Sequence, residues 1–261
     1  MDDDLEILLT NDDGIHSTGF HALYEGLSAI GSVTAVAPAE DQSAVGRAVS
    51  ESVPVREHDL GYIIEGKPVD CVVAGLSSLV PETDLVVAGC NHGANIGAAV
   101  LGRSGTVSAA VEAAFHGVPG IAASLYIPSP QWEKGPGMPA EWFEPAVDAT
   151  TFFASRAFEE GVFEHTDYLN INAPTKNLCT GELEITTPSH VYELTADQNG
   201  DTIDLRNPIW EKLESDEIPD PDGTDRRAIF NNKISVSPLM APHSTRDHGV
   251  FEELAAEFSA P

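Results

Sequence analysis

The sequence predicts an α/β fold: a parallel β-sheet covered by helices on both faces, extended after residue 175 by hairpins and a C-terminal helix. Three observations predict it. Short apolar runs of strand length alternate with helical stretches through the first half. Several of those runs are continuously apolar, as strands buried on both faces are. The chain, with 261 residues of which 42% are hydrophobic, can also bury one large core.

The elements follow in order. Leu5 to Leu9 reads as the first strand. Thr18 to Ile30 reads as a helix, because Phe20, Leu23, Leu27 and Ile30 recur at three-to-four spacing. Ser17 or Thr18 can cap it, and Gly31 can stop it. Val33 to Ala37 is the next strand, and the loop Pro38 to Arg47 follows. Val69 to Val80 is expected as a helix, Asp84 to Cys90 as a strand, Thr106 to Gly117 as a small-residue helix, and Gly120 to Leu125 as a strand.

Beyond a Pro/Gly-rich excursion, Pro128 to Pro139, the pattern is less regular. Phe143 to Phe158 is expected to be helical, while Tyr168 to Pro174 and Lys233 to Leu239 read as strands. Gly181 to Phe230 holds 13 acidic and 4 basic residues, so Asp216 to Asp225 is expected as an exposed loop. Gly249 to Phe258 reads as a last helix. The expected division is a catalytic core over residues 1–175, with residues 176–261 completing the same domain.

Composition removes several function classes. With 42 acidic against 13 basic residues the net charge is −29, the wrong sign for a nucleic-acid surface. The apolar content is too high for a disordered acidic chain. Net charges of about 2–8 in magnitude are usual for small domains, so the excess points to a protein adapted to a salt-rich cytoplasm. No apolar run reaches membrane-spanning length, and the acidic start Met1-Asp2-Asp3-Asp4 lacks a signal peptide's basic region. A cytoplasmic location is expected. Cys71, Cys90 and Cys179 are too scattered for a disulfide framework or a structural zinc site.

In a parallel sheet, ligands bind beyond the carboxyl ends of the strands, where strand order reverses. Asp12 and Asp13 stand there, adjacent, in Asn11-Asp12-Asp13-Gly14. Such a stretch is also good turn chemistry. Two like charges, however, repel unless a cation resolves the conflict, and carboxylate oxygens suit a hard divalent ion. The next loop brings Ser43, and the loop after Cys90 brings Asn91 and Asn95 in a glycine-rich run. Ser43 and Asn91 would complete the oxygen ligands of Asp12 and Asp13. Ser104-Gly105-Thr106 opens a helix, and a helix N-terminus suits phosphate; Ser104 can equally be a simple cap. A metal beside a phosphate cradle implies phosphoryl chemistry.

These residues carry a resemblance. The stretches ILLTNDDGI, VVAPAEDQSAVG, GKPVDCV, DLVVAGCNHGANIG and SGTVSAAVEAAFHGVPGIAAS, then NINAP and GTDRRAI with ISVSPL, resemble in order the SurE (survival-protein) family of metal-dependent 5′/3′-nucleotidases. The resemblance implies a Rossmann-like core and a homodimer, or a tetramer, whose C-terminal segments exchange. It implies hydrolysis of nucleoside monophosphates with Mg²⁺ or Mn²⁺. Asp12, Asp13, Ser43 and Asn91 match the family's metal ligands; Asn95, Ser104, Gly105 and Thr106 lie where it contacts phosphate. Two departures stand out: Arg103 replaces the usual tyrosine before Ser-Gly-Thr, and Ala88 replaces a usual serine.

Asp12 or Asp13 is expected to manage the proton of an attacking water; an aspartyl-phosphate route is the alternative. His16 and His92 are further candidates as proton donors, whereas His21 and His116 read as structural. Trp132, Trp142 and Trp210 read as packing residues, one of which could line a nucleoside pocket. The adjacent aspartates do not form an alternating DxD motif. Neither GxGxxG nor a Walker A motif follows the first strand. A non-catalytic sensor of metal and nucleotide is the alternative function.

Overall fold

In the computed structural model, which describes residues 5–128, 138–159, 161–215, 218–244 and 249–258, the first half runs as the apolar pattern dictates. It comprises β1 (Glu6–Thr10), α1 (Thr18–Leu27), β2 (Ser32–Pro38), β3 (Val55–His58), β4 (Gly61–Ile64), α2 (Pro68–Ala74), β5 (Leu85–His92), α3 (Ala98–Leu101), α4 (Gly105–Phe115) and β6 (Gly120–Tyr126). The second half adds α5 (Glu144–Ala154), β7 (Tyr168–Pro174), β8 (Leu183–Ile185), β9 (Thr195–Asn199), β10 (Thr202–Arg206), α6 (Ile209–Glu214), α7 (Asp225–Phe230), β11 (Ile234–Leu239) and α8 (Gly249–Glu257).

Nine strands form one sheet in the order β3-β4-β2-β1-β5-β6-β7-β11-β8. The run from β4 to β7 is parallel. Antiparallel pairs occur where β3 joins β4 and β11 joins β7. Pairing of β11 to β7, and of β8 to β11, brings two strands of the segment after residue 175 into the same sheet, while β9 and β10 form a separate pair. From β1 the chain builds outward to β2 and β4, then restarts on the other side with β5. The order therefore reverses between β1 and β5, and a crevice opens at their carboxyl ends.

Alternation along β1 assigns the two faces. Ile7 and Leu9 pack with Phe20, Leu23 and Leu27 of α1 and with Ala146 and Ala149 of α5. Leu8 packs on the opposite face with Val72 of α2 and with Ala109 and Ala113 of α4. Each large side chain fully buried this way contributes about 1.5–3 kcal/mol.

Several expectations shift. The helix expected over Val69 to Val80 divides into α2 and a wider π-type turn, Gly75–Leu79. Phe143 belongs to a short 3₁₀ turn, Ala140–Phe143, that precedes α5. The β3–β4 hairpin falls where no strand is expected. Its outer strand, Val55-Arg56-Glu57-His58, is an edge with largely exposed residues, so it carries charge rather than an apolar pattern. The expected exposed loop before Asp225 is corrected: Ile218, Asp220, Thr224 and Asp225 are buried. Ile218 packs there with Ile96 and Tyr126. Residues 129–137 of the Pro/Gly-rich excursion, with Trp132, lie outside the described residues.

Candidate active site

The turn after β1 is built by its own side chains. Asn11 Nδ2 donates to the Gly14 carbonyl at 2.8 Å and to Ser17 Oγ at 3.0 Å. That closes the loop and turns Asp12 and Asp13 into the crevice. Asp12 is 3% exposed. Its Oδ1 accepts from Thr106 Oγ1 at 2.5 Å, and its Oδ2 accepts from the Thr106 backbone N–H at 3.2 Å. Gly105 makes this approach possible: a Cβ there would stand 2.8 Å from both Cβ and Oδ2 of Asp12. The positive end of α4 thus rests on a carboxylate.

Asn91 is aimed by a register break. The β5–β6 pairing shifts between Ala88 and Asn91, and a bulge of this kind re-aims the side chain that follows. Gly89 sits there at φ +135°, where a Cβ would lie 2.3 Å from the Ala123 carbonyl oxygen. Asn91 Nδ2 donates to the Gly93 carbonyl at 2.6 Å, which commits the amide nitrogen and makes Oδ1 the atom that could hold a cation. The next residue ties this loop to Asp13, whose Oδ2 accepts the His92 backbone N–H at 2.8 Å.

Asp12, Asp13, Ser43, Asn91, Asn95 and Ser104 line a single cavity of about 560 Å³. That is within the ordinary range for a small-molecule site. Gly105 and Thr106 are not among its lining residues; they are buried, and both act on Asp12. Ser104 caps α4 by accepting the Val107 N–H at 3.1 Å, so its hydroxyl proton is available to a ligand. Asn95 is clamped: its N–H donates to Asn172 Oδ1 at 2.8 Å, its Nδ2 to Ser124 Oγ at 3.0 Å, and its carbonyl accepts from Asn170 Nδ2 at 2.9 Å. The NINAP stretch is therefore scaffolding for this loop.

Sequence reasoning missed several participants. Asp41 lines the cavity and its Oδ1 accepts from both the N–H and the hydroxyl of Ser43, at 2.7 and 2.6 Å; the Asp-x-Ser spacing is the signal for such a turn. Asp225 accepts the N–H groups of Gly97 at 2.6 Å and Ser189 at 2.9 Å, anchoring the glycine-rich run from α7. Tyr126, Ile127 and Trp210 form an apolar part of the lining. Trp210 thus differs from Trp142, which packs on the main core. His92 lines the cavity, with Nε2 3.0 Å from Met138 Sδ. His16 is exposed, packs edge-on to His58, and does not line it.

Burial raises the Asp12 carboxyl above its ordinary value, against the lowering effect of the Thr106 bonds. Burial first, then the charge of Asp12, push Asp13 up to about 7. Burial also lowers His92 below its ordinary value. Two adjacent carboxylates, one buried and one partly exposed, that resist joint ionisation fit a divalent cation. So does the donor set, which is all oxygen: two carboxylates, the Ser43 hydroxyl and the Asn91 amide. Among the described residues no group of three or more His, Cys, Asp or Glu side chains forms a metal cluster; this set relies on neutral oxygens for half its members.

The pattern of motifs on this frame decides the family. The description Survival protein SurE matches residues 7–193. The chain belongs to the SurE family. A protein named 5′-nucleotidase SurE from Haloarcula marismortui is 56% identical over 258 residues, covering 98% of this chain and 96% of the relative. Another of that name from Halobacterium salinarum is 56% identical over 257 residues, covering 98% and 99%. The crystal structure of SurE protein from Aquifex aeolicus superposes with a TM-score of 0.73 at 29% identity, covering 96% of this chain and 97% of that one. SurE membership accounts for the α/β fold and the order of the loops around the crevice. Among the described residues no helix is long and apolar enough to cross a membrane.

Proposed function

We propose that this chain is a cytoplasmic nucleotidase that hydrolyses nucleoside 5′-monophosphates, and 3′-monophosphates, to nucleoside and phosphate. It would use Mg²⁺ or Mn²⁺ held by Asp12, Asp13, Ser43 and Asn91. One observation carries the reading: two adjacent carboxylates, Asp12 buried and Asp13 partly exposed, share a nucleotide-sized cavity with the capped start of α4. The name of the relatives, 5′-nucleotidase SurE, supports the 5′ activity.

When bound, the cation supplies positive charge that polarises the phosphoryl group and acidifies water. The chain's own residues do the rest. The Ser104 hydroxyl and the Asn95 amide bind phosphate oxygens beside the α4 N-terminus. A water oxygen bonds to phosphorus as the bond to the ribose oxygen breaks. Asp13 takes the attacking water's proton, and the leaving ribose oxygen takes a proton from a solvent water to become the nucleoside hydroxyl. Thr106 holds both oxygens of Asp12 by hydrogen bonds, which fixes the orientation of that carboxylate toward the cation. Tyr126, Ile127 and Trp210 face the nucleoside.

Phosphate release from 5′-AMP and 3′-AMP, with Mn²⁺ or Mg²⁺ in high salt, tests the proposal. No release while metal-dependent AMP binding persists would make the protein a sensor instead.

A further inference from the structure

The cavity is electrostatically hostile to its own proposed substrate. Asp12, Asp13 and Asp41 line it, in a chain of net charge −29. A divalent cation would still leave these three carboxylates one negative charge in excess, and a phosphate monoester is also anionic, so a positive side chain at the cavity would favour its entry. Among the described lining residues one side chain bears a permanent positive charge, Arg103.

Arg103 is placed for that task. It directly precedes Ser104, the cap of α4, and its carbonyl accepts the Gly46 N–H at 3.1 Å. The loop carrying Ser43 and the loop carrying Ser104 are thereby joined at this residue. Its side chain is exposed while lining the cavity, which puts the guanidinium at the rim. Among the described residues no carboxylate lies within ion-pair distance of it, although the chain has 42 acidic residues. It donates instead to a neutral group, the Tyr192 hydroxyl, at 3.3 Å, with the guanidinium carbon 6.0 Å from that ring's centroid. An arginine held by a phenol keeps its full charge and most of its five donors.

We propose that Arg103 is a phosphate-binding residue of this site, which draws the anionic group of the substrate past the carboxylates and donates to its oxygens, and that Tyr192 positions it. This deepens the nucleotidase reading and rests on it. The uncharged nucleoside gains nothing from Arg103, so the residue selects for the phosphorylated form.

The test compares the full-length wild type with Arg103→Gln, Arg103→Lys and Tyr192→Phe. Steady-state kinetics with AMP, competitive inhibition by inorganic phosphate and inhibition by adenosine are each measured at the lowest salt that retains the fold and in molar salt. Arg103→Gln is expected to raise KM for AMP and Ki for phosphate by about tenfold or more, the size of a lost hydrogen bond to a charged group. Its kcat and its Ki for adenosine should change little. Arg103→Lys should recover part of the loss, Tyr192→Phe should show a smaller rise in KM alone, and added salt should shrink every difference. Unchanged KM and phosphate Ki in Arg103→Gln would overturn the proposal, as would equal weakening of adenosine and phosphate. If the wild type releases no phosphate from AMP, the nucleotidase reading fails. Phosphate binding by calorimetry, wild type against Arg103→Gln, then judges Arg103 alone.

Discussion

Asp13 carries the clearest consequence of putting two carboxylates side by side. Its folded-state value stands near 7 rather than at the ordinary 3.8, through burial and the charge of Asp12. A carboxyl raised in this way stabilises the fold below its unfolded value and loses that contribution as pH rises through the folded one. Without metal, stability should therefore fall between about pH 4 and 7, and a divalent cation should flatten the decline by favouring the ionised pair. Asp13→Asn should remove this part of the slope, raise metal-free stability, weaken metal affinity, and lower turnover by about 10²-fold or more. Denaturation from pH 4 to 8 with chelator, wild type against variant, isolates Asp13 from the other acidic groups. Near-wild-type turnover at limiting Mn²⁺ would exclude Asp13 as ligand and base. The pair was legible in the sequence because adjacency is itself a signal. Thr106 and Asp41 were not read for what they do: that a threonine spends its hydroxyl on Asp12, or an aspartate holds Ser43, depends on contacts across 94 residues in one case and a local turn in the other.

At the scale of elements, the strands and helices around the crevice were legible because each has its own period and stop. The β3–β4 and β9–β10 hairpins were not placed: β3 is largely exposed and charged, while β10 does alternate, Thr202-Ile203-Asp204-Leu205-Arg206, after Asn199-Gly200, a hairpin signal that went unread inside an acidic stretch. The contribution of α6 was equally hidden. Trp210 stood in the sequence as one of three tryptophans that could line a nucleoside pocket, but nothing near residue 210 singles it out; it arrives at the cavity through the packing of Leu213 and Ile218 with Tyr126 and Ile229. If this wall holds the nucleoside, Trp210→Ala should raise KM for AMP by about 10-fold, a loss within the 1–3 kcal/mol range for base–aromatic stacking. Hydrolysis of p-nitrophenyl phosphate, which has no base, should change far less. Equal losses on both substrates would assign Trp210 to packing.

The whole molecule presents two demands on its surroundings. One is a partner. Ile203 and Leu205 on β10 and Val250 and Leu254 on α8 are all more than half exposed, on elements outside the central sheet. If the homodimer that the family resemblance implies forms through these segments, Ile203→Asp with Leu205→Asp should convert it into a monomer in sedimentation equilibrium. A wild type already monomeric would contradict this. The other demand is salt. A net charge of −29 makes the compact state repel itself, and the effect falls as the Debye length shrinks to about 3 Å at 1 M. The core is also built with many small side chains, among them Ala109, Ala110, Ala113, Ala122 and Ala123, which bury less apolar area than larger residues do. Excluded salts strengthen that burial further. Screening and burial predict different curves. Screening should raise the melting temperature steeply up to about 1 M NaCl and then level off, while strengthened burial should continue to climb and be larger in sulfate. Each 1 kcal/mol gained shifts the midpoint by about 2–4 °C for a chain of this size. Melting curves in NaCl and Na₂SO₄ at matched ionic strength separate the two contributions. A midpoint that stays flat from dilute buffer to molar salt would end the reading of this surface as an adaptation to salt and leave the nucleotidase chemistry untouched, because that chemistry depends on the crevice between β1 and β5 and not on the coat around it.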